Sequence, residues 1–424
     1  MNIEKKLLIV EVVSRGAGFN YRYDVFRSKG YKLFYLTTSP QISYAFAGVK
    51  VAPTRQIGDF LDIASTWHEA EQFDAIITTD EASVIATALL ARQLGLPGPS
   101  VEAARSSRNK LLMRQAHRKH GAPHPEFARC DCVDDALQFA NRVGYPVVIK
   151  PTLGADSEHV YRVDDALQLT RRFAQAMAGN NSHSHRFAEA ECDEIGPHTL
   201  LAEAYLLGPE HCVEAIIEGD QLYIGSIADR LSMEMDVFDN DLYSTPTALP
   251  AQQISAVARA IFLGARAQGI ERGVLHAELR FHHGKPYIVE IAARPGGGSL
   301  QYMAKISYGY CSISAALVAA QGRPPSEIPA LKPTGRVAVG LTMLCDEGRL
   351  KSVEVPPGLL PHPDIFNFTV LPKAGSVIKR PPNGNDIFAY IGATGETLDA
   401  ALRIAATVAA QVQVRLEGAR ETAS

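Results

Sequence analysis

Two apolar runs, Gly273–Phe281 and Lys285–Ala293, flank a polar turn that contains His283-Gly284. Runs this rich in β-branched and aromatic residues, joined by a short glycine turn, form a β-hairpin. Each run carries one glutamate, Glu278 and Glu290. A three-residue loop, His283-Gly284-Lys285, would pair the two glutamates on one face with Cβ atoms roughly 4.5–5.5 Å apart. A two-residue loop would send them to opposite faces. Facing carboxylates repel, so a cation between them is the natural reading. Hard oxygen donors at that spacing suit Mg²⁺, with phosphate oxygens and water as further ligands. Period-2 parity puts Arg294 on the face of Glu290, within reach of a phosphate beside the ion. His276 stands two residues before Glu278 on that face, as a substrate contact or as a satisfied core histidine. Pro295-Gly296-Gly297-Gly298 follows, and Gly297 and Gly298 let a second substrate approach the backbone.

The rest of the chain is α/β, with α+β parts. Leu7–Val13, Leu33–Thr37 and Asp74–Thr78 read as strands that alternate with helices such as Ala82–Leu94, the pattern of a parallel sheet. Gly95-Leu96-Pro97-Gly98-Pro99 breaks that pattern, and Ser106–His120 reads as one basic helix. A second α/β unit follows: helix Asp134–Val143, strand Val147–Lys150, helix Asp164–Ala178 and strand Thr199–Tyr205. Beyond it lie strands His211–Glu218 and Gln221–Ala228, helix Ala251–Gln268 and the hairpin. The tail from 335 reads as mostly β before a last helix, Thr397–Val412. A chain of 424 residues exceeds what one core holds, roughly 250–300, so several domains are expected.

Composition removes other classes. A net charge of −4 gives no basic excess for nucleic acid or an anionic membrane. No run approaches ~18 apolar residues, and Glu11 ends the run after Lys5-Lys6 too early for a signal sequence. Six cysteines do not make a disulfide scaffold, and Cys130-Asp131-Cys132 reads as two reduced thiols. A cytoplasmic protein is expected. His183 and His185 fall in a polar stretch that reads as a surface loop.

Two further motifs carry chemistry. Tyr145–Pro151 is an apolar strand that ends in Lys150, followed by Gly154, Ala155 and Ser157. A lysine leaving such a strand is costly unless it meets an anion or snorkels to water, and a loop of small residues can close over phosphates. Leu200–Glu210 is a strand and linker with Glu203 and Glu210 at its ends, able to offer backbone groups to a base and a carboxylate to a ribose. Gly16-Ala17-Gly18 follows the first strand, but Tyr21 replaces the third glycine of a dinucleotide fingerprint and no acidic residue closes the next strand.

In order, Lys110, Lys150, the Glu203–Glu210 linker and the Glu278/Glu290/Arg294 hairpin resemble the ATP-grasp superfamily of carboxylate–amine ligases. The resemblance covers roughly 70–325, and Thr78-Thr79-Asp80-Glu81 also looks like the end of that superfamily's N-terminal domain. It implies an ATP-grasp fold with an N-terminal parallel α/β domain (1–104), an ATP-grasp domain (105–325) with a small lid at about 125–203, and a β-rich C-terminal subdomain (326–424). It assigns Lys110, Lys150 and Ser157 to ATP phosphates, Glu203, Ala204, Tyr205 and Leu206 to the adenine hinge, and Glu210 to the ribose. Glu278 and Glu290 would hold Mg²⁺, with Mn²⁺ as an alternative, and Arg294 would steady the γ-phosphate and an acyl phosphate. Ala292 stands where many members place a metal-binding asparagine, which leaves one ion or two open. Glu158-His159-Val160 lacks the glycine that often precedes the valine, which alters how the loop closes. Glu290-Ile291-Ala292-Ala293-Arg294, Gly340–Thr342 and Lys373–Val377 look like bacterial L-amino-acid ligases, which make dipeptides. The expected activity joins a carboxylate to an amine, both from amino acids, through an acyl phosphate, releasing ADP and phosphate. A biotin-carboxylase-like or purine-pathway member, a non-catalytic ATP-binding regulator and a nicotinamide enzyme are the alternatives. A small-molecule carboxylate and amine are the expected partners, with a second copy of the chain, as a homodimer, the alternative.

Overall fold

The computed structural model describes residues 4–12, 17–154, 157–180, 199–234, 237–325, 331–355, 362–380, 382–384 and 386–417. The N-terminal unit is a parallel sheet of β1 (Lys5–Val10), β2 (Tyr31–Thr37), β3 (Gly48–Val51) and β4 (Ala75–Ile77), in the order β3-β2-β1-β4. Its helices are α1 (Tyr21–Ser28), α2 (Ile57–Glu71) and α3 (Val84–Leu94). Alternate residues of β1 feed two cores: Leu8 and Val10 pack with Phe60 and Ile85, while Leu7 and Ile9 pack with Phe26 and Ile313. Burial on both faces explains why Leu7–Val10 of β1 is an unbroken apolar run. The Gly16-Ala17-Gly18 turn lies partly outside the described residues, and Gly18 sits in the short 3₁₀ turn Ala17–Phe19.

The basic helix expected over Ser106–His120 is two helices, α4 (Val101–Arg108) and α5 (Lys110–His120). Asn109 separates them with extended backbone, and its side chain accepts the Leu111 and Leu112 amides at 2.9 and 3.1 Å. A side-chain acceptor there satisfies two amides that lack helical partners and restarts the helix. Next comes a small antiparallel sheet, β5 (Phe127–Cys130), β6 (Val147–Pro151), β7 (Tyr161–Val163) and β8 (Leu200–Ala204), in the order β5-β8-β6-β7. Helices α6 (Val133–Val143) and α7 (Ala166–Asn180) cover it and give it a core of its own around Phe139, Ile149, Leu169 and Phe173. His183 and His185 lie outside the described residues.

The central sheet has eight strands, in the order β13-β12-β9-β10-β11-β14-β18-β16. They are β9 (Glu210–Glu218), β10 (Gln221–Glu234), β11 (Val237–Thr245), β12 (Arg272–His282), β13 (Lys285–Ala292), β14 (Val337–Met343), β16 (Ile365–Val370) and β18 (Ala389–Gly395). Strand β11 was not read from the sequence. Nor were helices α9 (Leu300–Tyr308) and α10 (Ser312–Ala320), which follow α8 (Ala251–Ala267). Three tail strands thus extend the central sheet. β15 (Gly348–Glu354), β17 (Val377–Ile378) and β19 (Gln413–Leu416) form a separate sheet, and α11 (Leu398–Gln411) packs Ala401 and Ala405 against Val339 and Ile391. Among the described residues no helix is long and apolar enough to cross a membrane.

Candidate active site

The N-terminal unit, the small sheet and the central sheet enclose a cavity of about 290 Å³. Lys110, Lys150, Ser157, Glu203, Ala204, Tyr205, Leu206, Glu210, His276, Glu278, Glu290, Arg294, Gly297 and Gly298 all line it. The fold therefore brings the residues that the resemblance assigned to ATP, metal and substrate to one cavity.

The glutamates face each other, but not by the expected loop. The turn is two residues, His283 and Gly284, with φ of +50° and +75°, and His282 pairs with Lys285. Positive φ at both central positions is the type I′ geometry of tight hairpins. That register alone would separate the glutamates. A bulge restores them: Leu279 pairs with Ile288 while Glu278 pairs with Glu290, which leaves Val289 as the extra residue. The Val289 carbonyl accepts from Arg114 Nη2 at 2.7 Å. Parity also fails for Arg294, because β13 ends at Ala292. Its Nε instead donates to Glu81, and its Nη1 donates to the Pro295 carbonyl at 2.9 Å.

Cations cluster opposite the hairpin. Lys110 Nζ lies 3.1 Å from Glu290 and donates to the Gly154 carbonyl at 2.9 Å. Arg108 donates to the Leu153 and Gly154 carbonyls at 2.9 and 3.3 Å, so the end of α4 and the start of α5 grip the phosphate-loop candidate. Lys150 Nζ lies 2.7 Å from Glu203, whose other oxygen takes Arg114 Nε at 2.6 Å. Burial pulls the Lys150 pKa down; Glu203 opposes this, while Arg114 and Lys110 add to it. An arriving anion would relieve that shortage of negative charge. Burial pushes the Glu81 carboxyl up, but Arg294, Arg108 and Lys110 outweigh it and leave its pKa lowered.

The loop after Lys150 carries an unforeseen feature. His159, in place of the usual glycine, keeps a left-handed backbone with φ of +58°, and its buried ring packs on Gly179 of α7. Its amide donates to the Pro382 carbonyl at 3.0 Å. Ala155 and Asp156 lie outside the described residues.

At the hinge, the Ala204 and Tyr205 amides donate to the Glu126 and Pro146 carbonyls at 2.9 and 3.3 Å, and Leu207 donates to His282 at 3.1 Å. The Leu206 amide donates to no acceptor among the described residues. Arg230 Nη1 holds one oxygen of Glu210 at 2.9 Å, and Arg280 Nε stands 3.7 Å from the other. Burial raises the Glu210 pKa, and neighbouring Glu278 adds to it against Arg230 and Arg280.

His276 sits between Glu214, at 2.7 Å from Nδ1, and Glu278, at 3.5 Å from Nε2. Burial disfavours its charge, but the hydrogen bonds to both carboxylates raise its pKa to about 9. The same ring, with Arg230 and Lys110, holds Glu278 at about 2 against burial. Cys212, His276 and Glu278 offer ligand atoms within 4.8 Å of one another. The His276 ring is already engaged by Glu214 and Glu278 through its two nitrogens, so in this arrangement the trio is a hydrogen-bonded group. The Glu278/Glu290 pair fits a metal ion: both carboxylates are ionisable oxygen donors, face each other and open on the cavity. Arg114, Glu81, Glu214, Arg230 and Arg280 were missed as site residues, because their partners stand far away in sequence.

Residues 143–302 match the ATP-grasp domain, and residues 342–417 match the L-amino acid ligase C-terminal domain 2. The chain thus carries an ATP-grasp domain followed by a C-terminal domain of the L-amino acid ligase type. It is 28% identical to carnosine synthase 1 of Gallus gallus over 286 residues, which is 65% of this chain and 30% of that protein. It is 26% identical to the L-arginine-specific L-amino acid ligase of Bacillus subtilis over 239 residues, 54% of each. The chain thus spans 30% of the length of the first of these relatives and 54% of the second. The fold of the L-amino acid ligase from Bacillus licheniformis matches with a TM-score of 0.84 at 20% identity, over 97% of this chain and 99% of that one.

Proposed function

We propose that this chain is an ATP-dependent carboxylate–amine ligase that joins two amino acids and releases ADP and phosphate. One observation carries the reading: Glu278 and Glu290 face each other in a cavity that also holds Lys110, Lys150 and Arg294. Lys110 and Lys150 hold the β- and γ-phosphates of ATP, together with Ser157 of the loop. The backbone at Ala204–Leu206 takes the adenine edge, and Glu210, positioned by Arg230, takes the ribose hydroxyls. Glu278 and Glu290 would hold Mg²⁺, which supplies Lewis-acid neutralisation of the transferred phosphoryl group when bound. Arg294, oriented by Glu81, stabilises charge on the γ-phosphate and then on the acyl phosphate. Gly297 and Gly298 leave room for the incoming amine, and His276, held between Glu214 and Glu278, orders Glu278. The small sheet unit, at about 125–203, acts as the lid that opens for nucleotide exchange.

Positioning and charge stabilisation, not a covalent step on the protein, carry this chemistry. The test is ADP release from ATP and Mg²⁺ across pairs of amino acids, with an ¹⁸O-labelled carboxylate. ADP and labelled phosphate are expected from at least one pair. AMP and pyrophosphate, or no stimulation by any pair, would overturn the reading.

A further inference from the structure

The N-terminal wall of this cavity holds a buried cation that the roles above leave unused. Arg22, on α1, is 4% exposed and lines the cavity beside Phe19 and Thr79. Its Nη1 donates to the Thr79 hydroxyl at 2.8 Å and to the Thr79 carbonyl at 3.4 Å. The Tyr21 phenol is a further neutral neighbour. The Phe19 and Tyr21 rings flank the guanidinium, with centroids 4.9 and 5.9 Å away. Its Nε has no hydrogen-bond partner, and among the described residues no carboxylate lies within ion-pair distance. Glu11 stands beyond the Thr79 hydroxyl, which donates to it at 3.0 Å. Tyr23 and Tyr35 fill the other Glu11 oxygen at 2.8 and 3.0 Å.

Arg230, Arg280 and Arg294 in the same cavity each hold a glutamate. Arg22 differs from all three. A guanidinium keeps its charge at any working pH, and its direct contacts are neutral, with Glu11 felt only across the Thr79 hydroxyl. Its planar fork matches a carboxylate bidentately. The site for ATP phosphates is built from Lys110 and Lys150, whereas Arg22 belongs to the N-terminal unit.

We infer that Arg22 docks a spectator carboxylate of the substrates, one that is not activated by ATP. The substrate class rests on the ligase reading, and it makes at least one substrate a molecule with a carboxylate to spare. Two sources share that chemistry: the α-carboxylate of the amine-bearing amino acid, or the second carboxylate of a dicarboxylic donor.

The experiment uses the full chain and its Arg22→Gln and Arg22→Lys variants. Calorimetric titration compares a panel of L-amino acids with their decarboxylated amines. Arg22→Gln should weaken binding of the docked amino acid roughly 10- to 100-fold and leave its decarboxylated amine unaffected. In turnover, the KM of the docked substrate should rise by the same factor, while the KM for ATP holds. A rise for the amine-bearing substrate assigns the α-carboxylate; a rise for a dicarboxylic donor assigns its second carboxylate. Affinities and KM values within about twofold of the parent overturn the inference. Should Arg22→Gln not fold, Arg22→Lys decides: it keeps the charge without the fork, so a several-fold loss is expected and parental affinity overturns. If the parent forms no ADP with any pair, the ligase reading fails, and the calorimetric comparison still judges Arg22.

Discussion

Two acidic clusters lie in one cavity and do different work. Glu203 on β8 has a side chain 6% exposed, and each of its oxygens is taken by a cation, at 2.6 and 2.7 Å. Glu278 and Glu290 on the hairpin are 34% and 17% exposed, and their cation contacts are looser, at 3.5 and 3.1 Å. In sequence all three are glutamates in apolar strands. The partners separate them. Glu203 is closed off as a strut that ties β8 to α5 and positions Lys150. The hairpin pair keeps oxygen lone pairs turned to the cavity, which is what a coordination site requires. A saturated carboxylate contributes to the fold, and an unsaturated pair has lone pairs free for a ligand.

The largest effect is expected where lone pairs are open. Glu290→Gln preserves shape and removes one charge. Turnover should fall by roughly 10²–10³-fold or more, while the melting midpoint moves little. Steady-state kinetics at saturating Mg²⁺, alongside a thermal melt, checks both halves. Near-parental kcat would remove the hairpin from the chemistry.

The converse holds for the closed strut. Glu203→Gln leaves Arg114 and Lys150 without their counter-ion, and both are buried. Breaking a buried ion pair from one side costs about 3–5 kcal/mol. Denaturant unfolding should show a loss of that order. A stability change below about 1 kcal/mol would mean that Glu203 is no strut, and the contrast between the clusters would collapse.

The same contrast explains what could be read in the sequence. Chemistry-bearing residues at strand ends, such as Lys150, Glu278 and Glu290, announce themselves because a charge in an apolar run needs a reason. The facing of Glu278 and Glu290 was anticipated from the wrong loop, since the bulge at Val289 is stabilised by Arg114, 175 residues away. The strut was invisible for a similar reason: Arg114 and Glu203 are 89 residues apart, and no local pattern joins them. Arg294 and Glu81 are separated by 213 residues. The break at Asn109 was legible in principle, because asparagine is a strong helix cap, but the basic pattern on either side masked it. Helices α9 and α10 followed a glycine run read for its substrate contacts and not for what came after it.

A third test separates the phosphate loop from both clusters. A Cβ at Gly179 would collide with the His159 ring, so Gly179→Ala must displace either that ring or α7. Overpacking of this kind costs about 1–3 kcal/mol, which converts to roughly 5- to 150-fold in ATP affinity if the strain falls on the loop. A higher KM for ATP with an unchanged global unfolding midpoint is expected. A lower midpoint with parental KM would show that α7 yields instead and that His159 does not shape the loop.

The smallest effect reports on the strut's surroundings through pH. His117 lies on α5, one turn past Arg114, fully buried, with Nε2 3.1 Å from Gln268 Oε1. Burial first, and then the Arg114 charge, lower its pKa to about 3. In the unfolded chain the ring titrates near the ordinary value of about 6.5. Above that value the ring is neutral in both states and contributes no pH dependence. As pH falls below it, the unfolded chain binds a proton that the native protein refuses, so stability drops by about 1.4 kcal/mol per pH unit until about pH 3. Replacing His117 with Gln removes this group and should flatten that part of the curve between about pH 6 and pH 4.5. Denaturant midpoints of the two proteins across that window make the comparison. Parallel curves would show that His117 takes up its proton in the native state, and that the cations around Glu203 leave no positive field beyond the strut.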